Sequence, residues 1–247
     1  MFLSIITVCY NSAGTIRQTF DSVLQQDFED YEYIVVDGLS NDGTLDIIQE
    51  YLPKFNGKMR YISEKDNGIY DAMNKGFSMA QGEITGLVNS DDYFEKGAFR
   101  NIYEAVRTNP GADVYYGIVR VLTEKDNEIK LYRMHHEMLY HCPLAHAATF
   151  ISKAAYEKYG FYDTNYKISA DYDLLLRIFL QGGRYQPVDH VFANYRMGGA
   201  SSDERNIPEH LCVQLKYGLI NRRQRFISLL VYKIKQLLRV VLRRKTV

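Results

Sequence analysis

Two adjacent carboxylates and two other polar side chains follow a buried-looking apolar segment in the first half of the chain. The apolar segment is Ile84 to Val88, and Asn89-Ser90-Asp91-Asp92 follows it. Side chains at the C-terminal end of a strand in an open α/β sheet project into the crevice that binds ligands. Adjacent carboxylates repel each other, and a divalent cation that also holds substrate phosphates is their usual counter-charge. The segment therefore predicts a metal-diphosphate site or, more simply, a strand-to-helix loop in which Asp92 is a cap.

Three earlier predicted strands also end in polar residues. These ends are Thr7 to Tyr10, Asp37 and Asp66. Because the C-terminal ends of parallel strands meet at one edge of a sheet, we expect these residues to converge with Asp91 and Asp92. Each aspartate alone is a common turn or cap residue. The prediction of a nucleotide-type site therefore depends on all four strand ends together.

Residues 1–92 alternate between strand and helix patterns four times, with short links. This alternation predicts an α/β fold with a parallel, doubly wound sheet and right-handed crossovers. Gly82 is predicted to end the third helix in a left-handed cap. Neither G-x-G-x-x-G nor G-x-x-x-x-G-K-[ST] occurs, which disfavours a Rossmann dehydrogenase and a P-loop NTPase. The apolar helix stripes are Ile16, Phe20, Val23 and Leu24; Leu45, Ile48, Leu52 and Phe55; and Ile69, Met73, Phe77 and Ala80.

The pattern changes after residue 92. Residues 113–122 and 129–134 predict a hairpin, residues 147–152 a strand and residues 153–159 a short helix. Another helix is predicted to start at Ala170-Asp171-Tyr172-Asp173, followed by an extended segment over 184–196 and a flexible loop over 197–202. The predicted organisation is one domain over 1–215, with a nucleotide-binding half over 1–92 and a smaller acceptor and catalytic half over 93–215. A basic amphipathic tail over 216–247 follows.

The charge of the chain is unevenly distributed although its formal total is zero. Residues 1–215 carry a net charge of −10, and residues 216–247 contain ten Lys or Arg and no acid. Residues 226–244 interleave apolar and basic side chains, which predicts an interfacial helix on anionic lipid. A helix that packs on the core or in a homodimer is the alternative. Nucleic acid is disfavoured as a partner because the rest of the chain is acidic.

The three cysteines, Cys9, Cys142 and Cys212, are widely spaced and show no zinc-binding pattern. We therefore expect a reduced, cytoplasmic setting. No secretory signal and no run of 18 apolar residues is evident. Together with the basic tail, these features predict a protein that lies peripherally on the inner face of the plasma membrane.

Several motifs occur together in an order and spacing that resemble a known family. The chain resembles inverting family-2 glycosyltransferases with the GT-A fold, especially bacterial enzymes that build exopolysaccharide or O-antigen units. The similarity covers roughly residues 2–200 and implies a Rossmann-like, mostly parallel central sheet flanked by helices. Its motifs are Ile5-Ile6-Thr7-Val8-Cys9-Tyr10-Asn11, Val35-Val36-Asp37-Gly38-Leu39-Ser40-Asn41-Asp42-Gly43-Thr44, residues 63–76 (SEKDNGIYDAMNKG), Leu87-Val88-Asn89-Ser90-Asp91-Asp92, and Ala170-Asp171-Tyr172-Asp173-Leu174-Leu175-Leu176-Arg177.

The resemblance implies roles for the predicted strand ends. It places nucleotide-binding residues at Thr7, Tyr10, Asp37, Asp66, Lys75, Asn89 and Ser90, and metal ligands for Mn²⁺ or Mg²⁺ at Asp91 and Asp92. Lys75 could face the ribose or phosphates, or be a solvated lysine. Asn89 stands where the family's D-x-D motif has its first acid, which weakens the contact usually made there.

Asp171 matches the catalytic base of the family. Inversion needs an acceptor hydroxyl to attack opposite the leaving diphosphate, and a carboxylate on that side removes the proton. Ala170 replaces the first acid of the usual Glu-Asp pair. Asp173 is a rival base, but it lies about 200° further round the helix. An exposed acid at the helix start is the preferred interpretation of Asp173.

The resemblance also implies an acceptor or phosphate contact for His146, although a structural histidine is an equal alternative. Many relatives have a histidine in the loop that corresponds to residues 196–201 of this chain. That loop has no histidine here, and Arg196 could neutralise the diphosphate instead. His135, His136 and His141 do not have the spacing of a metal cluster.

The overall prediction is a metal-dependent, inverting hexosyltransferase-type enzyme. It would move a sugar from a nucleotide-sugar donor, with UDP favoured, to a glycan or polyprenyl-linked glycan in cell-surface polysaccharide synthesis. Asn89 and Ala170 suggest the alternative of a non-catalytic nucleotide-sugar-binding or scaffolding protein with a decayed site. A nucleotidyltransferase is a third option, disfavoured because no Gly-rich phosphate loop occurs near residue 10.

Overall fold

The computed structural model describes residues 1–123, 125–198 and 206–243, with side chains through residue 238. Nine strands and eight α-helices occur in these ranges. In chain order they are β1 (Leu3–Cys9), α1 (Ile16–Leu24), β2 (Tyr31–Asp37), α2 (Thr44–Tyr51), β3 (Met59–Ser63), α3 (Ile69–Met79), β4 (Ile84–Leu87), β5 (Tyr93–Phe94), α4 (Ala98–Thr108), β6 (Val114–Leu122), β7 (Glu128–Tyr132), β8 (Thr149–Ser152), α5 (Lys153–Tyr159), α6 (Ala170–Leu180), β9 (Tyr185–Arg196), α7 (Ile207–Lys216) and α8 (Arg222–Arg243).

One sheet runs through both halves of the chain, in the order β3-β2-β1-β4-β8-β6-β9-β5, with β7 paired to β6. Strands β1 to β4 are mutually parallel, as the sequence predicts. Strand β8 is antiparallel to both β4 and β6, while β6 and β9 are parallel. The second half therefore extends the parallel sheet with strands of mixed direction.

Successive side chains of a strand point to opposite faces of the sheet, so the buried apolar strands make both faces apolar. Helices cover both faces. Leu3 and Ile5 of β1 pack in one core cluster with α1, α2 and α4. Ile6 and Val8 of the same strand pack in a second cluster with α3, α5 and α6. This arrangement confirms the predicted doubly wound architecture.

Three local predictions need correction. Helix α3 ends at Met79, and Gly82 is not its left-handed cap. A Cβ at Gly82 would lie 2.7 Å from the backbone nitrogen of Ser4, so close packing on β1 is the reason for this glycine. Ile69 is 40% exposed, and Tyr70 is buried in its place. Helix α2 ends at Tyr51 and continues as a 3₁₀ turn over Leu52–Phe55.

The C-terminal region consists of two helices. Helix α7 packs against α6, and α8 packs against α7. Lys216 is the last residue of α7 and contacts α6, so the predicted boundary at 215/216 falls within α7. In the described ranges, no helix is long and apolar enough to cross a membrane. Residues 199–202 of the predicted loop and residues 244–247 of the predicted tail lie outside the described residues.

Candidate active site

A wide cleft of about 820 Å³ opens at the C-terminal ends of β1 and β4. Its walls come from both halves of the chain and include parts of α3, β6, β7, α6 and α7. The structure thus brings the predicted strand ends together with the start of the helix at Ala170. The predicted site residues that line the cleft are Tyr10, Asp66, Asn89, Ser90, Asp91, Asp92, His146 and Asp171.

Thr7 and Asp37 support the cleft from behind instead of lining it. Thr7 is fully buried, and its Oγ1 lies 2.8 Å from the hydroxyl of Tyr33 in the core. Asp37 is also fully buried and accepts a 2.6 Å hydrogen bond from Ser63 Oγ and a 3.1 Å bond from the amide of Ser40. Asp37 therefore holds together the turns that follow β2 and β3, and neither Thr7 nor Asp37 lines the cleft.

Lys75 also lies outside the cleft wall. Its Nζ lies 2.9 Å from Glu64 Oε1 and donates a 2.7 Å hydrogen bond to the carbonyl of Lys65. Both partners belong to the loop that carries Asp66. Lys75 therefore anchors that loop, which differs from both the ribose contact and the solvated lysine considered from the sequence.

The loop that Lys75 anchors brings Asp66 close to the turn after β2. A Cβ at Gly38 would lie 2.5 Å from Asp66 Oδ2 and 3.5 Å from the ring of Tyr10. Asp66 Oδ1 accepts a 2.9 Å hydrogen bond from the amide of Gly68. The Tyr10 side chain is 64% exposed. The carboxylate of Asp66 and the exposed ring of Tyr10 therefore lie close together at this end of the cleft.

The acidic segment after β4 has unsatisfied oxygen atoms. Asp92 is 1% exposed, and its Oδ1 accepts a 2.9 Å hydrogen bond from the amide of Arg196. Asp92 Oδ2 and Asn89 Oδ1 are buried without a hydrogen-bond partner among the described residues. Burial, followed by repulsion from Asp91, raises the pKa of Asp92 to about 8, and burial raises the pKa of Asp91.

These oxygens fit a hard divalent cation. Buried polar atoms without partners are costly, and Mg²⁺ and Mn²⁺ prefer carboxylate and carbonyl oxygens. A cation beside Asp91 would also offset the burial that raises both pKa values and the repulsion from Asp91 that further raises the pKa of Asp92. Within the described ranges no group of three or more His, Cys, Asp or Glu residues has metal-binding geometry. The amide oxygen of Asn89 would therefore have to contribute alongside the carboxylates.

Arg196 lies behind the acidic segment. Its guanidinium forms two hydrogen bonds to Asp126, at 2.7 and 3.0 Å, and donates a 2.8 Å bond to the carbonyl of Asp91. Another bond goes to Gln18. The structure therefore does not place Arg196 against a diphosphate. It orients the backbone of the acidic segment, and Asp126 balances its charge.

Asp171 lies in the first turn of α6, at the opposite wall of the cleft. Its Oδ1 accepts a 2.8 Å hydrogen bond from the amide of Tyr172 and lies 3.0 Å from the hydroxyl of Tyr70 on α3. His146 is in the same wall, with Nε2 2.8 Å from the hydroxyl of Tyr162. Burial lowers the pKa of His146, while the charge of Asp171 opposes that shift. Burial therefore favours the neutral form of His146 in this wall of the cleft.

Asp173 has neither of the roles considered from the sequence. It is fully buried, and its Oδ1 accepts a 2.7 Å hydrogen bond from Lys216 Nζ and a 3.2 Å bond from the hydroxyl of Tyr217. Arg177 lies 3.9 Å from its other oxygen. Asp173 is therefore not an exposed acid and does not line the cleft as a second base. It joins α6 to the end of α7.

Helix α7 supplies two residues that the sequence prediction missed. His210 lines the cleft, and burial lowers its pKa against the opposing effect of Asp171. The carboxylate of Glu209 accepts hydrogen bonds of 2.8 to 3.1 Å from the amides of residues 167–169, just before α6. Pro208, a typical first-turn proline, marks the start of this helix in the sequence and could have drawn attention to both residues.

Strand β7 contributes a further wall that the sequence prediction missed. Lys130 and Tyr132 line the cleft, whereas Ile129 and Leu131 are about half exposed on the other face. The sequence shows the alternation of polar and apolar residues in this strand, but such a pattern usually places the apolar side chains in the core. In this edge strand, Lys130 and Tyr132 face the cleft and the apolar side chains face outward.

The amino-acid sequence of the chain matches those of known glycosyltransferases. The model of glycosyl transferase family 2 matches residues 4–166. The chain belongs to this family. A curated relative, the PGL/p-HBAD biosynthesis glycosyltransferase of Mycobacterium bovis (strain BCG / Pasteur 1173P2), is 28% identical over 204 residues. That match covers 81% of this chain and 78% of the relative. The transferase activity and the family predicted from the motifs are thereby confirmed.

Solved structures confirm the GT-A fold of this family 2 transferase. S. aureus TarS 1–349 in complex with UDP-GlcNAc matches with a TM-score of 0.73 and 20% identity, over 91% of this chain and 69% of that one. The chain spans 42% of a longer TarS structure. The mannosyltransferase PcManGT from Pyrobaculum calidifontis, in complex with GDP-Man and Mn²⁺, matches with a TM-score of 0.65 and 16% identity, over 88% and 64%.

Proposed function

We propose that this family 2 transferase is an inverting, metal-dependent enzyme with Asp171 as its base. It moves a sugar from a nucleoside diphosphate to a glycan hydroxyl during the synthesis of a cell-surface polysaccharide. The observation that carries the proposal is the presence of Asp91 and Asp171 in the walls of one cleft of about 820 Å³. A cleft of this volume has room for a nucleotide-sugar and part of an acceptor.

The nucleoside would bind at the end of the cleft formed by Tyr10 and Asp66. The exposed ring of Tyr10 offers a stacking surface, and the Asp66 carboxylate offers acceptors to base N–H or ribose hydroxyl groups. UDP is the preferred nucleotide because TarS, which shares the fold, was solved with UDP-GlcNAc.

Asp91 would hold Mn²⁺ or Mg²⁺, with Asp92 and the Asn89 oxygen close to the ion. PcManGT, which shares the fold, was solved with Mn²⁺. A bound cation would stabilise negative charge on the departing diphosphate. Arg196 would keep the backbone of this segment fixed through its bond to the carbonyl of Asp91.

Asp171 would take the proton of the acceptor hydroxyl. As the acceptor oxygen forms a bond to the anomeric carbon, the bond from that carbon to the diphosphate oxygen breaks, and the nucleoside diphosphate leaves with the electron pair. The amide of Tyr172 and the hydroxyl of Tyr70 both contact Oδ1, so the carboxylate has a fixed orientation. Such positioning is a large part of what a general base needs.

The alternative of a binding protein with a decayed site depends on Asn89 and Ala170. Asn89 still presents an oxygen atom next to Asp92. Ala170 is fully buried in the core cluster of α6, where a glutamate would bring an unpaired charge. Both departures from the family pattern are therefore compatible with a working site, which favours the enzyme.

Donor turnover tests the proposal. The purified protein is incubated with a panel of UDP- and GDP-sugars and Mn²⁺, and release of the nucleoside diphosphate is measured for wild type and Asp171→Asn. We expect kcat to fall by about 10²-fold or more in the variant, with unchanged binding of UDP. Asp189→Asn, an exposed change outside the cleft, is the matched control. Absence of metal-dependent turnover with every donor would support the binding protein instead.

A further inference from the structure

Helix α8 carries a continuous apolar stripe that the rest of the described chain does not cover. The stripe comprises side chains that are all exposed, and Phe226 and Leu237 are the most open at 68% and 66%. Their spacing of three, four and seven residues places them on one side of the helix. The members of this α8 stripe are Phe226, Ile227, Leu230, Val231, Ile234, Leu237 and Leu238.

The opposite side of α8 faces the protein. Leu229 and Tyr232 are partly buried there, and Arg225 donates a 3.2 Å hydrogen bond to Cys212 Sγ on α7. Helix α8 is thus fixed on its polar and mixed side. The α8 stripe points away from the core, so the rest of the described chain does not bury its apolar side chains.

Basic residues flank the α8 stripe on both sides. At about 100° per residue, Arg222 and Lys233 lie beside one edge of the stripe and Lys235 beside the other. No Asp or Glu occurs in α8. Long basic side chains at the edges of an apolar stripe can keep their charges in the headgroup layer while their stems cover apolar surface.

We infer that α8 lies flat in the headgroup layer of an anionic membrane, with the α8 stripe inserted and its basic edges on lipid phosphates. The combination of a separate apolar face with a basic polar face is the signature of an interfacial helix. The opposite charges of the helix and the lipid surface select a bilayer as the occupant.

A second copy of α8 is a poorer occupant of the same stripe. In a pair of α8 helices, the basic edges would face one another across the interface. Neither helix has an acid to form the interhelical salt bridges that set pairing. The repulsion would therefore oppose the burial of the stripe, whereas an anionic bilayer would favour it.

Membrane attachment through α8 would place the cleft near lipid. Helix α7 carries His210 in the cleft and connects through residues 217–221 to α8. This part of the inference rests on the proposed transferase function, because an acceptor glycan on a polyprenyl lipid would then reach Asp171 from the surface on which α8 lies.

The chain has no Trp, so a single introduced Trp reports on one position without interference. Leu230→Trp places the probe in the α8 stripe. Ser228→Trp is the matched control, because Ser228 is exposed and lies about 200° round the helix from Leu230. The probes are vesicles of phosphatidylcholine with phosphatidylglycerol and vesicles of phosphatidylcholine alone.

We expect the emission of Leu230→Trp to shift to shorter wavelength with the anionic vesicles and to shift less with the neutral ones or at high salt. Ser228→Trp should stay unshifted. No shift of Leu230→Trp on anionic vesicles would overturn the inference. A shift without vesicles that grows with protein concentration would also overturn it and assign the stripe to a second copy.

A second variant separates this inference from the transferase proposal. Leu230→Glu with Leu237→Glu should abolish co-sedimentation with anionic vesicles while donor hydrolysis in solution stays at the wild-type level. Wild type that sediments with vesicles but turns over no donor would leave the membrane inference standing and count against the metal-dependent reaction proposed for the cleft. Co-sedimentation that survives both glutamates would refute the membrane role of the stripe.

Discussion

The hydroxyl of Tyr70 lies 3.0 Å from Oδ1 of Asp171, and this contact joins the two halves of the chain at the cleft. Tyr70 is in the first turn of α3, in the first half of the chain, and Asp171 is in the first turn of α6, in the second half. The same hydroxyl lies 2.7 Å from the carbonyl of Ile168, so its single proton is shared between that carbonyl and the Asp171 carboxylate. Burial raises the pKa of Tyr70 well above its usual value, so the hydroxyl stays a neutral donor. The carboxylate proposed as the base is therefore oriented by a residue of the other half.

Tyr70→Phe should slow sugar transfer without preventing donor binding. Loss of one hydrogen bond to a carboxylate is worth about 1.4 kcal/mol, or a tenfold lower kcat. Steady-state kinetics measure kcat, and calorimetry measures the affinity for UDP. Tyr140→Phe, at an exposed tyrosine outside the cleft, should change neither, and an unchanged kcat in Tyr70→Phe would contradict the role.

Asn89→Asp should tighten Mn²⁺ binding and destabilise the metal-free protein. A third carboxylate beside Asp91 and Asp92 adds attraction for the cation and adds repulsion when the cation is absent. We expect a metal affinity higher by about tenfold, measured by calorimetry, and a lower Tm in EDTA. Asp91→Asn should instead weaken Mn²⁺ binding. Asn41→Asp adds the same charge at an exposed position and is the control; equal effects of the two aspartates would refute a metal site at Asn89.

Glu209→Ala should loosen the start of α6. The three amides of residues 167–169 would lose their acceptor, and Ser169 makes no side-chain cap that could replace it. Loss of a charged cap costs about 2 kcal/mol of the free energy of unfolding. Because Asp171 follows directly, kcat should fall more than the affinity for UDP. Glu157→Ala, at an exposed site on α5, is the control for denaturation and kinetics. A fall in stability with unchanged kcat would limit Glu209 to a structural role.

His146 should make the protein less stable as the pH falls. Burial lowers its pKa from the ordinary 6.5, so below that value the unfolded chain binds a proton that the folded chain does not. The contribution is present above pH 6.5 and is lost as the pH falls toward the folded pKa. His146→Gln should therefore reduce the drop in the free energy of unfolding between about pH 7 and pH 5. Urea denaturation at several pH values measures this slope, and His141→Gln, at an exposed histidine, should leave it unchanged.

The convergence of Tyr10, Asp66 and Asp91 could be predicted because it follows from the geometry of parallel strands. Each residue comes just after a strand whose apolar pattern is clear, and the C-terminal ends of parallel strands share one edge. The lining of the cleft confirms this placement. The fold was predictable for the same reason, because four alternations of strand and helix permit few arrangements.

The partners of individual charges could not be predicted, because they depend on contacts between distant segments. Asp173 pairs with Lys216, which is 43 residues away and was assigned to a separate tail. Thr7 was predicted to be a pocket residue because it lies at the end of the first predicted strand, but its hydroxyl contacts Tyr33 inside the core. The basic side chain of Arg196 suggested a phosphate contact, but Arg196 forms an ion pair with Asp126 from another loop.

The sheet order has a consequence for how the protein is made. Strand β5 directly follows the acidic segment, but it pairs with β9, and the amide of Arg196 bonds to Asp92 across 104 residues of chain. A chain emerging from the ribosome can therefore form the parallel strands β1 to β4 long before Asp92 receives its partner. The end of the cleft that holds Tyr10 and Asp66 can therefore form early in synthesis, and the end that holds Asp91 and Asp92 is completed late.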